Sequence, residues 1–164
     1  MHIRPFASED SVEGLTTLLH SAYKSLAERG YKFWASYQNN DDTFKRIAQG
    51  ECYMALDGDQ LVGTITLNTS PETCVHPWYE QEHVVSFDQF AVLPDHQRKG
   101  VGGALLDYVQ TRAQELGYTE IACDCSKGAA DLVTFYKHQG FVEVSSANWD
   151  TTNYESVILS KKIR

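Results

Sequence analysis

The sequence predicts a single α/β domain built around a mixed β-sheet. Two apolar runs within residues 52–68 flank the turn sequence DGDQ, which is a strong signal for a β-hairpin. From residue 84 onward, strand-like and helix-like stretches alternate, as is typical of βαβ units. The chain has 164 residues, of which 42% are hydrophobic, and this is enough for one core in a domain spanning residues 1–164.

In the first half of the chain, helical periodicity begins after a short strand. Ser8 or Ser11 can cap the first helix and Gly30 can end it. The segment 31–42 is aromatic and polar, which predicts a loop. The expected elements are a strand at 2–6, a helix ending before Gly30, a short helix at 42–50, the hairpin at 52–68 and an irregular segment at 69–83.

The second half alternates strands and helices until two final strands close the chain. Pro94 stops a strand and Gly117 ends a helix. In the last helix, Leu132, Phe135 and Tyr136 are expected to face inward. The expected elements are strands at 84–93 and 120–125, helices at 102–116 and 129–139, and strands at 141–149 and 154–162.

Charge and hydropathy disfavour several classes of partner. The net charge of −8, from 22 acidic and 14 basic residues, disfavours nucleic acid. It mildly favours a cationic small molecule, although solubility explains the charge better. No apolar run approaches the roughly 18–20 residues of a membrane span. The first residues lack the pattern of a signal peptide. We therefore expect a cytoplasmic protein without nucleic-acid or membrane partners.

The four cysteines predict reduced thiols. Cys123 and Cys125 alternate on an expected strand, so both sulfur atoms point to one face. Zinc sites do not usually have C-x-C spacing, and buried free thiols are common inside cells. No metal is therefore expected.

The segment DHQRKGVGGALLD, residues 95–107, joins a strand to a helix through three glycines. The first N–H groups of a helix are unpaired and partly positive, and glycines let the backbone approach a ligand closely. With Arg98 and Lys99 alongside, these features suit a phosphate or pyrophosphate, although a plain turn explains them equally well. Neither the Walker pattern nor the dinucleotide-binding pattern fits, because the glycines lie at 100, 102 and 103.

The sequence QRKGVG at 97–102 matches the Q/R-x-x-G-x-G/A signature of the GNAT superfamily, the acetyl-CoA-dependent N-acetyltransferases. The stretch FAVLPDHQRKGVGGALLDYV resembles the strand, proline turn, glycine loop and helix of that family, and FYKHQGF at 135–141 resembles its second block. The resemblance covers about residues 52–162, and the chain end resembles an uncharacterised bacterial branch. It implies a GNAT-like α/β fold, with a mostly antiparallel sheet of six to seven strands, about four flanking helices and splayed central strands.

The resemblance also implies which groups hold the co-substrate acetyl-CoA. The loop amides would hold the CoA pyrophosphate, and the side chains of Arg98 and Lys99 are placed to reach its phosphates. The backbone of the preceding strand would pair with the pantetheine arm, and one of its N–H groups would polarise the thioester carbonyl. The residues expected to bind acetyl-CoA are Phe90, Ala91, Val92, Arg98, Lys99, Gly100, Val101, Gly102 and Gly103.

Three side chains are candidates for proton transfer. Tyr136 lies where the family places the general acid that protonates the departing CoA thiolate, but its spacing from Leu132 also fits a core aromatic residue. For the base, the family often uses a carboxylate on the bulged strand, which here is Asp88. Asp124, on the neighbouring strand, is a second candidate. A surface carboxylate explains Asp88 about as well.

One position departs from the family pattern. Many members have an asparagine near the start of the second block that contacts the pantetheine, and this chain has Ala129 there. Ser126 or Lys127 could replace that contact.

The acceptor site is expected to form from residues 23–42, 70–84 and 147–154, which are rich in aromatic side chains. Such rings could receive an amine through cation–π contacts, although loops packed over the core would have the same composition. The aromatic residues in question are Tyr23, Tyr31, Phe33, Trp34, Tyr37, Trp78, Tyr79, Trp149 and Tyr154.

These features predict an N-acetyltransferase that moves an acetyl group from acetyl-CoA to a primary amine by direct attack in a ternary complex. The acceptor would be a small cationic or aromatic amine, or the amine of a peptide. The alternative is an acyl-CoA-binding sensor or interaction domain without catalysis, which Ala129 favours and Tyr136 disfavours. An edge strand near the C-terminus could pair two chains in a homodimer.

Overall fold

The computed structural model describes residues 1–164 and contains seven β-strands and four α-helices. Short 3-10 turns lie at Trp34–Ser36, Pro71–Thr73 and Pro94–His96. In chain order the main elements are β1 (His2–Pro5), α1 (Val12–Glu28), α2 (Asn40–Ala48), β2 (Glu51–Asp57), β3 (Gln60–Asn68), β4 (Val84–Val92), α3 (Val101–Glu115), β5 (Glu120–Ser126), α4 (Ala130–His138), β6 (Val142–Asn148) and β7 (Glu155–Lys162).

All seven strands form one sheet in the order β1-β2-β3-β4-β5-β7-β6. Every neighbouring pair is antiparallel except β4 and β5, which are parallel. The sequence prediction of a mixed, mostly antiparallel sheet with about four helices is therefore confirmed. The single parallel pair lies in the middle of the sheet, with antiparallel strands on both sides.

Helices cover both faces of the sheet because the strands are apolar on both faces. On one face, Leu105 and Val109 of α3 belong to the largest core cluster, together with Tyr53 of β2. On the other face, Leu15 of α1 packs with Met54, the next residue of β2. Full burial of side chains such as these leucines stabilises the fold by about 1.5–3 kcal/mol each. None of the four α-helices combines the length and the apolar character needed to cross a membrane.

The helix starts follow local capping chemistry. Ser11, one of the two predicted caps, accepts a hydrogen bond from the Gly14 amide at 2.9 Å. Asn39 and Asp42 form a reciprocal capping box, in which each side chain accepts from the backbone N–H of the other. This box makes α2 begin at Asn40, two residues before the predicted start.

The inward face of α4 differs in part from the prediction. Tyr136 is buried as expected, but Leu132 and Phe135 are only half-buried. Besides Tyr136, the buried residue of this helix is Val133. Because Val133 and Tyr136 are three residues apart, they share a face of the helix, and this face meets the sheet.

The two central strands β4 and β5 pair for only three residues. Val84–Ser86 align with Glu120–Ala122, and no further pairs follow, although both strands continue. On its other edge, β4 has a register shift against β3, and Gln89 at this irregularity has a φ of 47°. The predicted splaying of the central strands is thus present, and it opens a gap in the middle of the sheet.

Candidate active site

A cavity of about 620 Å³ occupies the region where β4 and β5 part. Asp88 and Phe90 line it from β4, and Asp124 lines it from β5. Tyr136 reaches it from α4. The structure therefore brings all three predicted proton-transfer residues to one cavity.

Tyr136 lies at the junction of this cavity and the core. Only 5% of the residue is exposed, and its ring packs against Phe141 and Phe87. Burial raises the pKa of Tyr136 well above its usual value, because the phenolate would lose its solvation. The phenol is thus a protonated donor at neutral pH, and it is at the same time a core aromatic residue.

Asp88 sits beside the irregularity of β4 and forms an ion pair. Its Oδ2 lies 3.0 Å from Nη2 of Arg46, which reaches over from α2. Its Oδ1 is shielded from solvent and has no hydrogen-bond partner in the chain. About a third of the side chain, 34%, is exposed. Oδ1 is therefore closed to an acceptor, and an acceptor in the cavity would meet the carboxylate at Oδ2, the oxygen that Arg46 holds.

Asp124 has a different environment. Tyr79 Oη donates to its Oδ1 at 2.9 Å, and Trp149 Nε1 donates to its Oδ2 at 2.9 Å. Burial raises the pKa of Asp124, and these two hydrogen bonds oppose that effect. Each oxygen of Asp124 thus accepts one hydrogen bond, and together these bonds hold two loops against β5.

The glycine loop presents free backbone donors. The N–H groups of residues 98–103 donate to no acceptor within the chain, and the first amide of α3 that is paired is that of Ala104, to Gly100. Gly100 has a φ of 85° and Arg98 a φ of 61°, so the loop adopts a left-handed conformation at both positions. A Cβ on Gly100 or Gly103 would meet no heavy atom within 4 Å, which leaves open space over the backbone. These residues do not line the cavity itself, but they fit a bound pyrophosphate.

The strand between the cavity and the loop is largely buried. Ala91 and Val92 are buried and Phe90 is half-buried. A Cβ on Gly102 would lie 3.4 Å from the Phe90 ring, so the start of α3 packs closely on this strand. The Phe90 carbonyl accepts a hydrogen bond from Tyr23 Oη at 2.8 Å, which ties this part of β4 to α1.

Six of the nine predicted aromatic residues line the cavity. Tyr31, Tyr37 and Trp78 do not. Those that do are Tyr23, Phe33, Trp34, Tyr79, Trp149 and Tyr154.

The two suggested replacements near Ala129, Ser126 and Lys127, have different surroundings. Ala129 is fully buried and precedes α4 without a side-chain cap. Ser126 is buried, and its hydroxyl has no partner in the chain. Lys127 faces Glu155, with 3.8 Å between Nζ and Oε1.

Sequence reasoning missed a polar network beneath Asp88. Arg46 Nη1 donates to Gln38 Oε1 at 2.7 Å, and Gln38 Nε2 donates to Gln89 Oε1 at 2.8 Å. Gln89 in turn donates to Thr66 at 3.2 Å. Gln38 and Gln89 are 0% and 4% exposed, and the only sequence signal was a pair of glutamines flanking aromatic stretches.

The cysteines behave as buried thiols. Cys123 and Cys125 are both 1% exposed and belong to the main core cluster. Burial raises the pKa of Cys123 well above its usual value and that of Cys125 to about 12, so neither is a thiolate at neutral pH. The structure contains no group of three or more His, Cys, Asp or Glu side chains placed to hold a metal ion.

Comparison with known proteins agrees with this geometry. A sequence model described as the acetyltransferase (GNAT) family matches residues 16–141. A curated relative, S-(2-succino)cysteine N-acetyltransferase of Bacillus subtilis, is 29% identical over an alignment of 143 residues, and the match covers 83% of this chain and 81% of that protein.

Solved structures share the fold. The ribosomal-protein-S18-alanine N-acetyltransferase of Escherichia coli superposes with a TM-score of 0.74 at 14% identity, over 99% of this chain and 93% of that one. A GNAT family acetyltransferase of Elizabethkingia anophelis, solved with acetyl-CoA bound, gives a TM-score of 0.69 at 16% identity, over 98% and 97% of the two chains.

The family match and the curated relative identify an acyltransferase, and the splayed sheet and its cavity agree with that class. The chain belongs to the acetyltransferase (GNAT) family, whose members use acetyl-CoA and transfer its acetyl group to an amine.

Proposed function

We propose that this protein transfers the acetyl group of acetyl-CoA to a primary amine by direct attack within the cavity between β4 and β5. The observation that carries the proposal is the convergence of Asp88, Phe90 and Tyr136 on this one cavity, at the point where β4 and β5 stop pairing. A carboxylate, a strand backbone and a protonated phenol are the three kinds of group that aminolysis of a thioester needs.

In the proposed reaction, Asp88 removes a proton from the acceptor ammonium, directly or through one water. The free amine attacks the thioester carbonyl carbon, forming a C–N bond. A backbone N–H of Phe90–Val92 stabilises the developing oxyanion. The C–S bond then breaks, and Tyr136 gives its proton to the CoA thiolate. The second proton of the attacking nitrogen passes to the Tyr136 oxygen, directly or through water, which leaves a neutral amide and a neutral phenol. Asp88 is a better base than Asp124, because both oxygens of Asp124 are already engaged.

The loop at Arg98–Gly103 would hold the diphosphate of CoA through its free amides. The side chains of Arg98 and Lys99 are exposed and can reach the same phosphates or the phosphate on the ribose. The fit is supported by the open space over Gly100 and Gly103.

The charges around the cavity favour a cationic acceptor. The lining contains four carboxylates, those of Glu72, Asp88, Asp124 and Asp150, and a single cationic side chain, that of Arg46. Arg46 is already engaged with Asp88 and Gln38. No free cation is left to bind a carboxylate group of an acceptor, whereas the carboxylates and aromatic walls suit a second positive charge. We therefore propose a small amine with a further cationic group and no carboxylate.

The name of the curated relative says that it N-acetylates S-(2-succino)cysteine, which is a small molecule. This supports a small-molecule amine as the acceptor here. That compound carries several carboxylates, so the charges in the present cavity point to a different acceptor.

The test is CoA release from acetyl-CoA with a panel of amines: polyamines, aminoglycosides, amino acids, aryl amines and short peptides. The expected result is turnover with diamines and polyamines above the rate of acetyl-CoA hydrolysis. Acetyl-CoA binding without transfer to any amine would contradict the proposal and favour a binding domain.

A further inference from the structure

Arg46 is the single cationic side chain that lines the active-site cavity, and it lies deep in it. Its side chain is 12% exposed, and its guanidinium carbon lies 4.4 Å from the centre of the Trp34 ring. Nη2 contacts Asp88 at 3.0 Å and Nη1 contacts Gln38 at 2.7 Å. Two of its three nitrogens are thus committed to protein partners, which fixes the plane of the guanidinium.

The same network fixes the strand that carries Asp88. Gln38, which accepts from Arg46, also donates to Gln89 at 2.8 Å. Gln89 is the irregular residue of β4, with its φ of 47°, and it is the immediate neighbour of Asp88. One glutamine contacts both the guanidinium and the strand irregularity. It therefore fixes the position of Arg46 relative to Asp88.

The network is also anchored from two helices. Gln38 Nε2 donates to Thr43 Oγ1 at 2.7 Å, and this hydroxyl lies 2.7 Å from that of Thr16 in α1. Buried polar groups of this kind are costly unless each finds a partner, and a buried ion pair is weak evidence for stability. Stability alone therefore gives little reason to place an arginine at this depth.

Binding an acceptor carboxylate is a less favourable role for Arg46. The third nitrogen, Nε, has no partner but is shielded from solvent, so an acceptor cannot reach it without a rearrangement. Four titratable groups near Asp88 or Arg46 are not cations, namely Tyr23, Tyr79, Cys52 and Asp124. Arg46, at 3.0 Å, is the cationic partner of Asp88.

We propose that Arg46 is a positioning residue, which fixes the Asp88 carboxylate relative to the acceptor amine. The inference rests on the proposed role of Asp88 as the base. Arg46 itself does not touch the reacting atoms in this account, and it acts through Asp88.

A double-mutant cycle tests the inference. We would measure kcat, the KM for acetyl-CoA and the KM for the best amine of the panel for the wild type, Arg46→Gln, Asp88→Asn and the double variant. Arg46→Gln is expected to lower kcat about tenfold or more, with the KM for acetyl-CoA within about twofold. In the Asp88→Asn background, Arg46→Gln should lower kcat less than about threefold, because the carboxylate through which Arg46 acts is gone.

Arg112→Gln is the matched control. Arg112 also forms an ion pair, with Glu51 at 2.8 Å, but lies outside the cavity. Its replacement should leave kcat unchanged. Arg46→Lys keeps the charge without the second contact, so it should restore part of the lost kcat, and it serves as the second variant where Arg46→Gln does not fold.

The outcomes separate the inference from the proposed function. Wild-type kcat in Arg46→Gln, or effects of Arg46→Gln and Asp88→Asn that multiply in the double variant, would overturn the inference while acetyl transfer stands. Wild-type kcat in Asp88→Asn would overturn the base assignment and the inference together. Absence of transfer by the wild type to any amine would overturn the proposed function as well.

Discussion

The hydroxyl of Tyr79 lies 2.9 Å from Oδ1 of Asp124, while the other oxygen of that carboxylate accepts from Trp149. Tyr79 belongs to the segment before β4 and Trp149 follows β6, so Asp124 links two walls of the cavity to the central strand β5. Asp88, across the cavity, has a single partner. The two candidate bases therefore differ in environment, and this difference can be tested.

Asp88→Asn is expected to lower kcat by about 10²–10⁴-fold, because it removes the proposed base. The KM for acetyl-CoA should change by less than about twofold. Asp124→Asn is the matched variant, and it should mainly raise the KM for the amine, because the walls that Tyr79 and Trp149 form would loosen. Steady-state kinetics on both variants checks the assignment, and the reverse pattern would make Asp124 the base.

Tyr136→Phe should lower kcat about 10-fold or more while leaving the Kd for acetyl-CoA near the wild-type value. Because burial raises the pKa of Tyr136 well above its usual value, the phenol keeps its proton at alkaline pH. The wild-type kcat should therefore not fall between about pH 8 and pH 10 through ionisation of this residue. An alkaline loss of kcat that Tyr136→Phe abolishes would contradict this prediction.

Gly100 and Gly103 make a matched pair in the loop. Gly100→Ala places a Cβ on a residue with a φ of 85°. This strain should lower the free energy of unfolding by about 1–2 kcal/mol. Gly103→Ala adds a Cβ inside α3 without a contact in the protein, so the free energy of unfolding should rise by about 0.5–1 kcal/mol.

The two variants also test the acetyl-CoA site. If the loop holds the diphosphate of CoA, the new methyl group of Gly103→Ala should raise the Kd for acetyl-CoA about tenfold even though the fold is not weakened. Chemical denaturation and calorimetric titration measure the two quantities separately. An unchanged Kd in both variants would place the diphosphate elsewhere.

The charges of the cavity predict a preference between closely related acceptors. 1,5-Diaminopentane is lysine without its carboxylate, and kcat/KM for the diamine should be about tenfold higher or more, because no free cation in the cavity offsets the carboxylate. Asp150→Asn removes one carboxylate of the cavity, so it should bring the two kcat/KM values closer together. Glu13→Gln, on the exposed face of α1, should leave their ratio unchanged. A higher kcat/KM for lysine would contradict the proposed acceptor class.

The sequence predicted the elements well because each carries a local signal. The hairpin turn, the Ser11 cap and the glycine loop are encoded within a few residues, and the family signature placed the cavity residues Asp88 and Tyr136. The start of α2 was missed by two residues because the Asn39 capping box lies inside a stretch that looks like a loop.

The polar network could not be predicted, because its members are close in space and far apart in sequence. Gln38 and Gln89 are separated by 51 residues, and nothing local distinguishes them from surface glutamines. The same holds for Asp124, whose two donors lie 45 and 25 residues away. Which carboxylate has one partner and which has two depends on these tertiary contacts.

Direct attack in a ternary complex is the central claim, and initial rates test it most directly. We would vary acetyl-CoA and 1,5-diaminopentane together and examine the double-reciprocal lines. Intersecting lines, with no acetylated protein detected by mass spectrometry, are the predicted result. Parallel lines together with an acetyl group on Cys123 or Cys125 would contradict the account, because they would show that the protein carries the acetyl group before the amine receives it.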